Sequence, residues 1–347
     1  MENWFKEPEI FFEEFSDKFT LGYQIHKGPQ DILPATNTCV LIGIDERISN
    51  SIRKELYKTS FPFDNIYLAD LGNLRNTNPE FSIAVLNDLL SKEVNVIVLG
   101  MDDSHITTQL RSLQKFIHNV AFIEKAGEFF LSDNIQKLLT SEDNIDRAKL
   151  IGYQTHLLNP EKLNHKKFNQ SLRLGKFRNN YKEAEPILRD VEWSFFNMDS
   201  IRYSEVPGIK NTSPSGLTSE ESCQIMKYLG LNSENNLINI YGYDPKFDFH
   251  GQGAMMVSQL IWYYLEGLDQ MIIDNIEDKS FISTYVVELA DYDTSLIFYR
   301  SKKTGRWWVE IPAIGDSSSF LLPCSLQDYE KATKNELSYR IFSELGL

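Results

Sequence analysis

The chain has 347 residues, of which 42% are hydrophobic and 24% charged, as expected for one large globular domain or two small ones. Its 49 acidic and 35 basic residues give a net charge of −14, which disfavours nucleic acid and anionic membranes as partners. No apolar run is as long as a membrane span, and the acidic N-terminus does not resemble a signal peptide. We therefore expect a cytoplasmic protein that binds neither nucleic acid nor membrane.

Seven short apolar runs predict strands in the first two-thirds of the chain. Mostly apolar runs of this kind, without regular alternation of apolar and polar residues, are typical of strands covered on both faces, as in a parallel sheet. They lie at 39–44, 66–69, 94–99, 120–123, 149–153, 191–196 and 237–241. Cys39 and Cys223 are expected in the core, and three cysteines without a CxxC pair predict neither a disulfide framework nor a thiolate metal site.

Helical patterns alternate with these strands. They lie at 49–57, 78–91, 104–118, 133–139, 182–190, 218–230 and 253–267. Thr218 with Glu221 three residues later is the pattern of a capping box. The alternation of strands and helices predicts a three-layer α/β/α fold around a parallel sheet.

The C-terminal part has a different pattern. Strands are predicted at 284–289, 296–299 and 307–311, with residues 301–305 forming a hairpin loop and a single helix from 326 to about 345. One of Trp307 and Trp308 is expected to pack in the core and the other to be exposed. We expect an N-terminal arm (1–38), an α/β domain (39–283) and a C-terminal hairpin and helix (284–347) packed on that domain.

Polar residues cluster after four of the predicted strands, where parallel α/β sheets bind ligands. Asp102 and Asp103 follow the third strand, and Asp244 follows the seventh. The segments EKAGE (124–128) and NMD (197–199) follow the fourth and sixth. If the third, fourth and sixth strands are neighbours, their polar residues should converge at one edge of the sheet.

Five segments around these positions resemble, in order and spacing, the motifs of one enzyme family. They are VIVLGMDDSHITTQLRSL, VAFIEKAGEFF, EWSFFNMDSIRYSEVPG, SPSGLTSEESCQIMKYLGL and INIYGYDPKFD. The set is similar to the ureohydrolases (arginase, agmatinase, formimidoylglutamase), and the segments RWWVEIP and LLPCSLQDYEKA resemble an extension of divergent Bacteroidetes members. The resemblance covers roughly residues 39–268. It implies an arginase-like fold, a homo-oligomer and, in active members, two Mn²⁺ ions bound by two histidines and four aspartates.

The positions that match those metal ligands have changed residues. Asp103, or Ser104 in a register shifted by one, stands at the first histidine, and Ala126 stands at the second. The remaining matched positions hold Glu124, Glu128, Asn197 and Asp199. Gly242 stands where many members hold the substrate with an acidic residue, and His105 and His250 are weak candidates for the same pocket.

Two hypotheses about function follow. Without imidazole ligands and one bridging aspartate, the metal pair should bind weakly and water should stay unreactive, so we expect a pseudoenzyme with no catalytic residue and no cofactor. Such a protein would act as a binding or scaffold protein, with a possible protein partner. The alternative is a metal-dependent hydrolase of linear amidines with an altered site, which would hold Mn²⁺ or, given oxygen ligands alone, Mg²⁺ or Ca²⁺.

Overall fold

The structure is a computed structural model. It describes residues 2–28, 37–112, 118–125, 133–141, 145–163, 165–168, 170–207, 209–292, 294–312 and 318–346.

A ten-stranded sheet forms the centre of the molecule, in the order β1-β4-β3-β5-β10-β9-β6-β7-β8, with β2 paired to β4. All neighbouring strands are parallel except β1, which runs antiparallel to β4. The strands are β1 (Phe5–Lys6), β2 (His26–Lys27), β3 (Thr38–Gly43), β4 (Tyr67–Leu74), β5 (Asn95–Leu99), β6 (His118–Ile123), β7 (Ile145–Tyr153), β8 (Leu172–Arg173), β9 (Trp193–Asn197) and β10 (Leu237–Tyr241).

Hydrophobic cores lie on both faces of this sheet, because successive side chains of a strand point to opposite faces. In β3, Cys39 and Leu41 pack into one core, while Val40 and Ile42 pack into the other. Both faces are buried along the whole strand. This is why the sequence shows continuous apolar runs instead of alternation.

The helices up to residue 269 cover the two faces and supply the outer layers, and the two that follow pack on residues of the C-terminal part. They are α1 (Leu21–Gln24), α2 (Glu46–Leu56), α3 (Pro79–Leu90), α4 (Asp103–Ser112), α5 (Asp133–Ser141), α6 (Leu174–Asn179), α7 (Ala184–Leu188), α8 (Ser219–Gly230), α9 (Gln252–Asp269), α10 (Leu326–Ala332) and α11 (Tyr339–Glu344). The capping box of Thr218 and Glu221 is present at the start of α8. The predicted three-layer fold with a parallel sheet is confirmed.

The C-terminal part contains a second sheet, so the predicted hairpin was incomplete. Its antiparallel order is β11-β12-β13-β14. The strands are β11 (Ile282–Leu289), β12 (Thr294–Ser301), β13 (Trp307–Ile311) and β14 (Phe320–Cys324). The sequence analysis missed β14 because Pro323 weakens the strand pattern, and an edge strand tolerates a proline.

Two helix predictions were also wrong in extent. The expected helix 326–345 is two helices, α10 and α11, separated by a segment in which Asn335 has a φ of 63°. The expected helix 182–190 is a 3₁₀ turn (Tyr181–Glu183) followed by the short α7. The described part of the expected helix 104–118 ends at Ser112.

Both tryptophans of β13 are buried, which corrects the expectation that one would be exposed. The Trp307 ring stacks on Tyr329, with ring centres 4.8 Å apart. The Trp308 ring lies on the other face of the strand, with the Arg189 guanidinium 4.7 Å from its centre. Cys39 and Cys223 are buried as predicted. In the ranges that the structure describes, no helix is long and apolar enough to cross a membrane.

Candidate functional site

The polar segments that follow β5, β10, β9 and β6 lie at one edge of the sheet, because these four strands are consecutive neighbours and all run parallel. Strand β10 lies between β5 and β9 and brings the Tyr241–Gly242 junction to the middle of this edge. Asp103 comes from the β5 side, Asp199 from β9 and Glu124 from β6. We call this group of strand ends the acidic edge.

Tyr241 is the central residue of the acidic edge. It is the last residue of β10 and is buried, and its hydroxyl donates a hydrogen bond to the Glu124 carboxylate. Burial raises the pKa of Tyr241 well above its usual value, and the charges of Glu124, Asp103 and Asp199 raise it further. Carboxylates from three strand ends therefore act on one phenol.

Glu124 and Lys125 are both buried at the end of β6, yet they face different partners. The Lys125 ammonium donates to the Asn211 carbonyl at 2.5 Å, and the Lys125 carbonyl accepts from the Gln154 amide at 2.7 Å. The lysine is thus bonded to the loop that follows β9, while Glu124 is bonded to Tyr241.

Asn197 and Asp199 form a tight turn after β9, and Gly242 packs against this turn. The Asn197 side-chain oxygen accepts from the Asp199 amide at 2.9 Å and caps the 3₁₀ turn Met198–Ser200. Gly242 has a φ of 85°, and a Cβ there would lie 2.4 Å from the same Asn197 oxygen. No larger residue fits at 242 while Asn197 keeps this position.

The start of α4 holds the next group of candidates. Burial raises the pKa of Asp103, and the negative charge of Asp102 adds to this effect. At Asp102 burial acts in the same direction, but hydrogen bonds from Ser104 and His105 outweigh it and lower the pKa. His105 is buried, with Nδ1 2.7 Å from the Asp102 carboxylate and Nε2 2.9 Å from the Thr77 carbonyl. Both ring nitrogens of His105 are therefore already hydrogen-bonded to protein atoms.

The remaining candidates are placed as follows. His250 is exposed in the turn before α9. Ala126 and Glu128 lie outside the described residues. At the end of β3 there is no long loop: Asp45 caps α2 by accepting from the Ile48 amide at 2.9 Å, and Arg47 pairs with Asp244 at 3.1 Å.

The side chains of the acidic edge that the structure describes do not fit a pair of Mn²⁺ ions. Such a site needs bridging carboxylates with free lone pairs, and imidazoles or further carboxylates to complete each ion's coordination. Here Glu124 accepts from a phenol, the Asn197 oxygen caps a turn, and His105 is bonded to Asp102 and Thr77. Among the described residues, no group of three or more His, Cys, Asp and Glu could hold a metal ion.

Tyr241 is the residue that sequence reasoning missed. Its strand was predicted, but a tyrosine at the end of an apolar run reads as part of the core. The available signal was its hydroxyl, since a buried phenol needs a hydrogen-bond partner and a strand end offers polar ones.

The topology is that of two solved enzyme structures, a formimidoylglutamase and an agmatine ureohydrolase, so the chain has an arginase-like fold. The formimidoylglutamase of Bacillus subtilis superposes with a TM-score of 0.59 at 16% identity, over 76% of this chain and 96% of that one. An oxidized formiminoglutamase of Trypanosoma cruzi gives 0.61 at 12% identity, over 77% and 100%. The agmatine ureohydrolase of Thermoplasma volcanium gives 0.50 at 18% identity, over 67% and 90%.

At these identities the similarity establishes the shared fold. No model of a known protein family matches the chain, and no curated protein sequence matches it.

Proposed function

We propose that this chain is a divergent ureohydrolase-type protein that binds a ligand at the acidic edge and does not hydrolyse amidines. The observation that carries the proposal is the Tyr241 hydroxyl, hydrogen-bonded to Glu124 where carboxylates from three strand ends act on one phenol. The T. cruzi formiminoglutamase has been solved with Mn²⁺ on the same fold. In this chain, one of the carboxylates matched to the metal ligands is instead bonded to a phenol.

The chemistry of hydrolysis explains why this exchange matters. In a two-metal hydrolase the ions lower the pKa of a bound water and so generate the nucleophile. A phenol whose pKa is raised stays protonated and neutral at physiological pH, so it donates a hydrogen bond and supplies no such activation. The residues of this edge therefore supply no activated water for hydrolysis.

The charge of the edge indicates the ligand class, a small organic cation such as an amine or guanidine. Asp103, Glu124 and Asp199 all act on Tyr241, while Lys125, next to Glu124, is bonded to a loop carbonyl. Opposite charge at close range in a partly desolvated site favours a cationic ligand. A homo-oligomer in the cytoplasm, with no nucleic-acid or membrane partner, is part of the same proposal.

Two measurements test it. With Mn²⁺ present, the protein and its Asp199→Ala variant should release no urea, ammonia or formamide from arginine, agmatine or formimidoylglutamate. Metal-dependent turnover that disappears in Asp199→Ala would establish the alternative, an active hydrolase with an altered site.

The second measurement is calorimetric titration with agmatine as the probe cation. We expect binding that weakens about tenfold or more in Asp103→Asn, as for the loss of one close charge. Asp291→Asn, an exposed carboxylate in the C-terminal part, serves as the control. Equal affinity in all three proteins would refute the cation-binding part alone.

A further inference from the structure

Strand β11 is an edge strand of the C-terminal sheet. It lies at one end of the order β11-β12-β13-β14 and is eight residues long, from Ile282 to Leu289. Its sequence, ISTYVVEL, contains no proline, lysine or arginine. Proteins usually protect an exposed edge of this length with proline, with charged side chains, lysine above all, or with a bulge, because unpaired backbone groups attract another strand. Here Glu288, near one end of the strand, is the single charged residue.

The direction of the backbone groups follows from two hydrogen bonds at the start of the strand. The Phe281 carbonyl accepts from the Lys302 amide at 2.8 Å, so Phe281 faces β12. The Ile282 amide donates to the Asp278 carbonyl at 3.1 Å, on the other side. Because antiparallel pairs alternate, the outward groups are those of Thr284, Val286 and Glu288.

The outward backbone groups of one copy can hydrogen-bond to the same groups of a second copy when the two strands are centred on Val286. If two copies meet antiparallel with the two-fold axis at Val286, this residue faces its own copy, and Thr284 faces Glu288 of the second copy. All three residues then form narrow pairs, each of which exchanges two backbone hydrogen bonds. A register centred on Glu288 would place two like charges opposite each other, which is unfavourable.

The side chains fit the same register. Val286 is aliphatic and 66% exposed, so its side chain is available to a second copy. Its neighbour across the ladder is Ile297, so two copies would join their apolar side chains across the axis. Glu288 would meet the Thr284 hydroxyl, which can donate a hydrogen bond to it.

We propose that β11 is a homodimerisation edge, at which a second copy of this chain pairs antiparallel with Val286 on the two-fold axis. The two C-terminal sheets then form one continuous sheet. This proposal concerns a surface remote in sequence from the acidic edge and does not depend on what that edge binds.

Cysteine cross-linking tests the register in the full-length chain. The natural cysteines, Cys39, Cys223 and Cys324, are all buried. Two Val286 Cα atoms in a narrow pair lie about 5.5 Å apart, within disulfide range, so Val286→Cys should form a covalent dimer on mild oxidation. Thr284→Cys is the matched control, because its two copies would lie about 13 Å apart in this register. Absence of cross-linking in Val286→Cys, or equal cross-linking in both, overturns the proposal.

Charge pairing gives a second test that a simple folding defect cannot imitate. Val286→Lys and Val286→Glu should each shift sedimentation from dimer towards monomer, because like charges meet at the axis. An equimolar mixture should restore the dimer through a Lys–Glu pair. Folded variants that remain dimeric alone, or a mixture that stays monomeric, would contradict the assignment, as would a wild-type chain that sediments as a monomer.

Discussion

Tyr241 and its neighbours determine the chemistry of the acidic edge at the scale of single residues. The Tyr241 hydroxyl donates a hydrogen bond to the Glu124 carboxylate and so occupies one of its lone pairs. Asn197 lies so close to Gly242 that position 242 cannot carry a side chain in this arrangement. Glu124, Asn197 and Gly242, three positions that differ from the ureohydrolase pattern, thus have partners in this structure. They belong to a packed arrangement of their own.

Replacing Gly242 tests this packing. We expect Gly242→Ala to reduce the free energy of unfolding by about 1–3 kcal/mol, because the backbone φ is positive and the new Cβ would meet Asn197. Denaturant titration measures the loss. Gly175→Ala is the control, since a Cβ at that helical position meets nothing within 4 Å and should be neutral or stabilising. Equal effects at both positions would show that the contact with Asn197 is unimportant.

Part of this site could be predicted from the sequence. Strand ends are recognisable from apolar runs, so Asp103, Glu124 and Asp199 were expected at one edge of the sheet. In the structure the charges of all three act on the Tyr241 phenol. The role of Tyr241 was not predictable, because periodicity locates a strand end but does not say which polar group lies beside it. The contact between Tyr241 at the end of β10 and Glu124 after β6 depends on the order of the strands in the sheet, which brings together residues that are far apart in the sequence.

At the scale of elements, the central strands and their helices were predicted well and the C-terminal part less so. Continuous apolar runs and capping residues are local signals, and they suffice for strands such as β3 and helices such as α8. The break between α10 and α11 depends on Asn335 in the left-handed region, and β14 depends on its place at a sheet edge. Neither is visible in a short window of sequence.

Asp328 links these C-terminal elements and makes their stability depend on pH. It forms a capping box with Ser325 at α10 and lies 3.5 Å from the Arg340 guanidinium of α11. Burial raises its pKa, but the charge of Arg340 and the hydrogen bonds from Ser325 outweigh this, so the pKa is lowered.

The sign of the pH effect follows. A carboxylate with a lowered pKa stabilises the fold at pH values above its unfolded pKa of about 3.9, and this is lost as the pH falls through the lowered folded value. Asp328→Asn should therefore cost about 1–3 kcal/mol at pH 7 and progressively less in acid. Tryptophan fluorescence during denaturation at several pH values measures it, with Asp291→Asn as an exposed control. A difference that grows below pH 4 would contradict this assignment.

At the scale of the whole molecule, the C-terminal sheet is joined to the central fold through Arg189, next to α7. Its guanidinium donates to the Trp307 carbonyl at 2.7 Å, lies over the Trp308 ring and pairs with Glu185. We propose that residues 284–347 pack on the main domain and unfold together with it.

Arg189→Lys tests this junction. Lysine keeps the charge but loses the planar fork, so we expect a loss of about 2 kcal/mol or more. Circular dichroism and tryptophan fluorescence should still report one common thermal transition, now at lower temperature. The control is Arg178→Lys, whose pair with Glu221 is more exposed and should contribute less. Two separate transitions in the wild type would show that the parts unfold independently.

The most direct test of the account is the Mn²⁺ content of the wild-type chain after equilibrium dialysis against the free ion. Because the Glu124 carboxylate is bonded to Tyr241 and the matched imidazoles are missing, we expect well under one Mn²⁺ per chain at micromolar free metal. Two equivalents per chain, lost in Asp199→Ala, would show that the acidic edge still assembles a binuclear centre and would contradict the account.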